Sequence, residues 1–172
     1  MRAGHPARSR LTATFSRPSR SAMHLIASTT PADAHTLVAI RIAAMRASLE
    51  AIGRFDPQRA RERFLASFDP ATCRFIVADG ARAGLLAVHH AADHWRLDHL
   101  YLLPGQQRRG IGAAVLDTVL READARRMPV RVGALRGSDS NRFHLRHGFV
   151  VTGETEWDID YLREPRLPGQ PD

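Results

Sequence analysis

The sequence predicts a mixed α/β domain. Its central sheet has about seven strands, mostly antiparallel, with helices on both faces, in the order β-α-α-β-β-β-α-β-α-β-β. Three observations predict it. A short apolar run is followed by two helix starts, each marked by a capping residue and a proline; three apolar runs then follow, separated by short turns; helical and apolar patterns alternate from there to the end.

The first strand is read at His24 to Ser28. Thr30-Pro31-Ala32-Asp33 then supplies an N-cap, a proline at the first helical position and an acid in the first turn. The helix that starts there carries Leu37, Ile40, Ala44, Met45 and Leu49 on one stripe and stops at Gly53. Asp56-Pro57 opens a second helix to about Phe68, with Phe64, Leu65 and Phe68 facing inward. Arg74 to Ala78, Ala83 to His90 and Trp95 to Leu103 read as an antiparallel meander with turns at Asp79-Gly80 and Ala92-Asp93. Ile111, Val115, Leu116, Val119 and Leu120 mark a long amphipathic helix ending near Arg127. Pro129 to Ala134 is a buried strand, Ser138 to His147 a short helix closed by Gly148, and Phe149 to Val151 with Trp157 to Leu162 a closing hairpin.

With 172 residues the chain has the length of one domain, read here as residues 23–163. Residues 1–22 read as a disordered basic tail or an upstream start preceding Met23, and residues 164–172 as a disordered tail. No apolar run approaches the roughly eighteen residues of a membrane span, so no membrane partner is expected. The single cysteine, Cys73, forms no intrachain disulfide and reads as a small buried hydrophobe; a cytoplasmic location fits. The formal charge of +7 invites a nucleic-acid reading, but Arg2, Arg8, Arg10, Arg17 and Arg20 carry five of those units in the tail. The chain has no lysine, which points to compositional bias more than to selection for phosphate contacts, and no nucleic-acid partner is expected.

The chemistry concentrates at Gln107-Arg108-Arg109-Gly110-Ile111-Gly112, between a strand and a helix. Glycines there let a phosphate approach the backbone, and the free amides and positive dipole of the helix start bind it. Arg108 and Arg109 add charge. A nucleotide P-loop needs a lysine, and the dinucleotide fingerprint needs three glycines after the first strand of a βαβ unit; neither requirement is met.

Leu100-Tyr101-Leu102-Leu103-Pro104 followed by this loop resembles the central motif of the GNAT superfamily of N-acetyltransferases. Asn141-Arg142-Phe143-His144-Leu145-Arg146-His147-Gly148-Phe149 resembles that superfamily's later motif. The resemblance implies acetyl-CoA as acyl donor, bound in a V between the strands ending at Leu103 and beginning at Pro129. By that analogy the backbones of Leu102 and Leu103 pair with the pantetheine. Gln107 and the amides of Arg108, Arg109, Gly110, Ile111, Gly112 and Ala113 hold the pyrophosphate, and Ser138 caps the later helix and touches the pantetheine. The implied reaction is direct attack of an amine on the thioester.

Such a reaction needs a polarised carbonyl, an uncharged amine and an acid for the departing thiolate. Where the superfamily usually has a tyrosine as that acid, this chain has His144, which reads either as a working replacement or as a mark of lost catalysis. Asp98 and His99 are candidates for the base; alternation along the strand predicts that they point to opposite faces, and Glu154 and Glu156 are rivals. The acceptor, by resemblance, lies against the first two helices and the closing hairpin, where Arg46, Glu50, Phe55 and Trp157 are candidate contacts. No metal is expected, because the histidines lack accompanying cysteines or clustered carboxylates. The resulting expectation is an acetyltransferase acting on a primary amine of a small molecule; the alternatives are an acyl-CoA-binding module with little or no catalysis and a protein acetyltransferase. A homodimer is compatible with the resemblance.

Overall fold

The computed structural model describes residues 24–25 and 28–166. The expectations for residues 1–22, for the start at Met23 and for residues 167–172 lie outside them. Among the described residues seven strands form one sheet: β1 (His24–Leu25), β2 (Cys73–Ala78), β3 (Ala81–His90), β4 (Trp95–Leu102), β5 (Val130–Leu135), β6 (Val150–Glu154) and β7 (Asp158–Arg163). Their spatial order is β1-β2-β3-β4-β5-β7-β6. Every pairing is antiparallel except β4 with β5. The helices are α1 (Ala34–Ala51), α2 (Pro57–Ser67), α3 (Ile111–Ala125) and α4 (Asp139–Arg146). No helix among the described residues is long and apolar enough to cross a membrane.

Local chemistry sets the boundaries. The Asp56 side chain accepts from the Arg59 amide, capping α2. Thr30 is bonded by the Asp33 carboxylate through both its N–H and its hydroxyl, but the first turn, Pro31–Asp33, is 3-10 and the α-helix proper begins at Ala34. Strand β1 ends earlier than Ser28, which lies outside any strand.

Each sheet face has its own core. On one, Leu37, Val38 and Ile40 of α1 and Phe64 of α2 cover Cys73, Phe75, Leu85 and Ala87. On the other, Val115, Leu116, Val119, Leu120 and Ala123 of α3 cover Val88, Trp95, Leu97, Val130 and Val132. Leu65 is 37% exposed, contrary to the inward position expected from the sequence. It follows Phe64 by one residue, about 100° around the helix, so both cannot face the sheet. Cys73 is buried, and burial raises its thiol pKa.

Gly84 holds β3 close to β4. A Cβ there would stand 2.1 Å from the Tyr101 carbonyl oxygen, and backbone cannot yield as a flexible side chain can. Gly84→Ala is expected to cost about 3 kcal/mol of stability by forcing the strands apart. Thermal denaturation tests this; a variant melting with the parent would refute it.

Candidate active site

Strands β4 and β5 pair only through Trp95–Leu97 and Val130–Val132. At that point β4 carries a bulge: Ala87 faces His99 and Val88 faces Leu97, leaving Asp98 without an opposite number. A bulge bends its strand and increases the local twist. Beyond it β4 departs from β5, which stays paired with β7 as far as Leu135, so a gap opens between them.

The extra residue also reverses the alternation of side chains. Trp95 and Leu97 pack in the α3 layer, and after the bulge it is Leu100 and Leu102 that join them. His99 and Tyr101 turn to the α1–α2 layer, where the His99 ring stacks on Phe64 with centroids 5.4 Å apart. Asp98 pairs with Arg96 at 2.8 Å, on the face opposite Trp95 and Leu97. Asp98 and His99 therefore share a face, a correction to the expectation that they diverge; uninterrupted alternation fails at a bulge.

The Leu103 backbone, expected to pair with a ligand, has internal partners. Its N–H donates to Ala83 at 2.9 Å and its carbonyl accepts from the Gln106 amide at 2.8 Å. The ladder turns Leu102 and Leu100 the other way, toward the gap. The Leu102 carbonyl accepts from Gln107 Nε2 at 3.0 Å, so its N–H and the backbone of Leu100 are what this edge offers. Leu100 was not a sequence-based candidate, because the direction of a backbone group depends on pairing register.

The loop after β4 makes a 3-10 turn at Pro104–Gln106, and Arg108 and Gly110 then adopt positive φ values of 59° and 78°. The α3 ladder begins with Ala114 N–H donating to the Gly110 carbonyl at 3.1 Å, so the amides of Ile111, Gly112 and Ala113 precede it and point out of the helix start. That is an anion-binding geometry. Leu102 and Phe143 are the side chains beside Gly112. Arg109 pairs with Asp79 at 2.7 Å and bonds Gln106, bracing the loop against the β2–β3 turn. Arg108 is exposed and has no ion pair among the described residues, which makes it the loop's available charge.

Helix α4 is locked by Asn141. Its amide donates to the Leu135 and Ser138 carbonyls at 2.8 and 2.9 Å, and its oxygen accepts from the Tyr161 hydroxyl at 2.8 Å. Ser138 sits at the N-cap position but donates to the Leu135 carbonyl at 2.7 Å, not capping through its side chain as expected. Three residues beyond Asn141 on the same helix face, His144 is only 5% exposed, among Phe143, Phe149 and Tyr161. Its Nδ1 is buried without a partner. Burial, with a smaller push from His147, lowers its pKa to about 4, so the ring is neutral near pH 7.

On the other side of β4 the α1–α2 loop meets the β6–β7 hairpin, where Arg54 lies over the Trp157 ring at 4.1 Å. Arg46 and Glu50 form an exposed ion pair at 2.8 Å, and Arg46 lies 5.0 Å from the Phe55 centroid. Glu154 pairs with Arg136 at 2.8 Å on the surface. His99 has its Nδ1 buried and unpartnered; burial, then the charge of Arg41, lowers its pKa to about 4 against the opposing pull of Asp98. Arg41 and Tyr101 complete this cluster. Neither was a sequence-based candidate, since the bulge decides which face Tyr101 takes. Among the described residues no group of three or more His, Cys, Asp and Glu side chains is placed to hold a metal ion.

The family model described as an acetyltransferase (GNAT) domain matches residues 43–158. No curated protein matches by sequence. Among solved structures the fold is similar to the PaiA N-acetyltransferase of Thermoplasma acidophilum in complex with coenzyme A. That match has TM-score 0.64 and 15% identity, over 83% of this chain and 99% of that one. It is similar to Ard1 of Thermoplasma volcanium, with TM-score 0.61 and 16% identity over 87% of this chain and 100% of that one. An acetyltransferase of Thermus thermophilus gives TM-score 0.63 and 16% identity over 83% and 96% of the two chains.

Proposed function

Because the chain belongs to the acetyltransferase (GNAT) domain family, whose chemistry is acyl transfer, we propose that it moves an acetyl group from acetyl-CoA to a primary amine of a small molecule. The observation that carries the reading is the gap opened by the Asp98 bulge, which ends beside the outward-pointing amides of α3. The gap presents an unpaired strand edge to an amide-bearing chain, and the helix start suits the pyrophosphate. The solved relative holding coenzyme A supports the same donor.

In the proposed reaction the amine nitrogen bonds to the thioester carbonyl carbon and the carbon–sulfur bond breaks. The nitrogen gives its proton to an acceptor at the bulge, and the departing thiolate takes its proton from water. Asp98 and His99, on one face at the bulge, are the proposed proton acceptors; His99 is neutral near pH 7 and has an unpartnered ring nitrogen. The proposed role of His144 is donation of an N–H from its neutral ring toward the sulfur. With a pKa of about 4 it is not an imidazolium acid near pH 7. That burial also favours the second reading, coenzyme binding without turnover.

Saturating acetyl-CoA, at about 100 times its Kd, is expected to add about 2.7 kcal/mol to stability, read as a thermal shift of several degrees. Incubation with acetyl-CoA and a panel of amines is expected to yield products heavier by one acetyl group in mass spectrometry. A shift without transfer would favour the second reading, and the lack of any shift would sink both.

A further inference from the structure

Arg41 belongs to the sheet-facing stripe of α1, four residues after Leu37 and three after Val38, both fully buried. Its Nη1 donates to the Ala60 carbonyl of α2 at 3.1 Å, which fixes the guanidinium between the two helices. Its Nε is buried without a partner, and no carboxylate pairs with it among the described residues. Beneath it on β4 are His99, with its own orphaned Nδ1, and Tyr101, their rings 5.4 Å apart. The Arg41 charge acts on both. Phe64 closes the other side of the His99 ring.

The Arg41 guanidinium is half-buried without a counter-ion, and its Nε is a buried donor without an acceptor, which is costly. The group that satisfies both is a planar oxyanion meeting the Nε and Nη edge of the fork. One arginine with apolar walls and no lysine suits a single negative charge, a carboxylate, better than a phosphate.

Building on the acetyltransferase reading, we propose that Arg41, assisted by the Tyr101 hydroxyl, holds a carboxylate of the acceptor beside His99, so that the substrates are amino carboxylates. The carboxylate satisfies the orphaned donor while the amine, a few bonds away, lies at the bulge where the proton acceptors are. Polyamines and aminoglycosides lack the matching group.

The test measures acetyl transfer to α-, β- and γ-amino acids, each beside its own carboxamide, together with the acetyl-CoA thermal shift. Wild-type protein is expected to favour at least one acid over its amide by tenfold or more in kcat/KM, about the worth of a charge-assisted hydrogen bond. Arg41→Gln is expected to abolish that ratio by raising KM for the acid at least tenfold more than KM for its amide, with the acetyl-CoA shift retained. Arg41→Lys, which keeps the charge without the fork, should fall between them and carries the comparison if Arg41→Gln does not fold. An absent acetyl-CoA shift overturns the transferase reading and this proposal with it. A normal shift with acid and amide turned over equally, with no acid acetylated, or with a preference that survives loss of Arg41, overturns the carboxylate assignment alone.

Discussion

Acidification from pH 6.5 to pH 4 is expected to unfold this protein well before its carboxylates are fully protonated. His144 is buried and His99 is half-buried with an inaccessible Nδ1, and desolvation lowers each pKa from 6.5 to about 4. The folded state therefore keeps these rings neutral where the unfolded chain has already bound two protons. A depressed histidine pKa contributes stability that is complete above 6.5 and is lost as pH falls toward 4. Each ring accounts for up to about 3 kcal/mol, a large part of an ordinary domain's stability. Their surroundings do not offset the loss. Arg41 and Arg96 disfavour a charged His99 and Asp98 opposes them, while His147 disfavours a charged His144. Urea denaturation across this range should show stability falling with a slope approaching two protons. Replacing His144 with Phe, an apolar ring for the same aromatic pocket, should remove about half of that slope. Stability independent of pH between 6.5 and 4.5 would contradict the desolvation of both rings.

Asp124→Ala is expected to cost about 3–5 kcal/mol, because it leaves a buried cation without a partner. Arg163 is only 5% exposed in its side chain and makes two bonds to Asp124, at 2.7 and 2.9 Å. The backbone N–H of Arg166 adds a third at 2.8 Å, tying residues beyond β7 to α3. Burial alone would raise the Asp124 pKa, but these bonds and the two arginine charges outweigh it and hold the carboxylate below its usual range. A fall in Tm on the order of 10 °C is expected for a chain of this size. Combining Asp124→Leu with Arg163→Met should recover most of it, since the damage comes from the orphaned guanidinium and not from the lost pair itself. A single variant melting within a degree or two of the parent would show that Arg163 finds water or another acceptor instead.

Much of the fold was legible along the chain because its signals are local. Asp56-Pro57 starts a helix through one side-chain bond and one fixed φ, and Gly53 and Gly148 end helices by adopting φ values that other residues resist. The geometry of the loop from Gln107 to Ala113 was legible for the same reason: the first amides of any helix lack partners within it, and Gly110, at φ 78°, marks the place. Arg109 was half legible. Its charge was evident, but its engagement with Asp79, thirty positions away, was not.

The rest depended on which residues face one another, a property that no local pattern carries. The bulge at Asp98 arises from the pairing of β3 with β4, and nothing in Leu97-Asp98-His99-Leu100 announces it, yet it opens the gap and turns His99 and Tyr101 toward Arg41. Register likewise ties the Leu103 backbone into the β3 side and turns the Leu100 backbone toward the gap. Asn141 set the rotation of α4 and so buried His144. The sequence by itself determined the order of elements and the place of the glycine-bearing loop that opens α3. Only the tertiary structure decided which side chains meet at the bulge, because side-chain direction in a sheet alternates with register, and a single inserted residue reverses it.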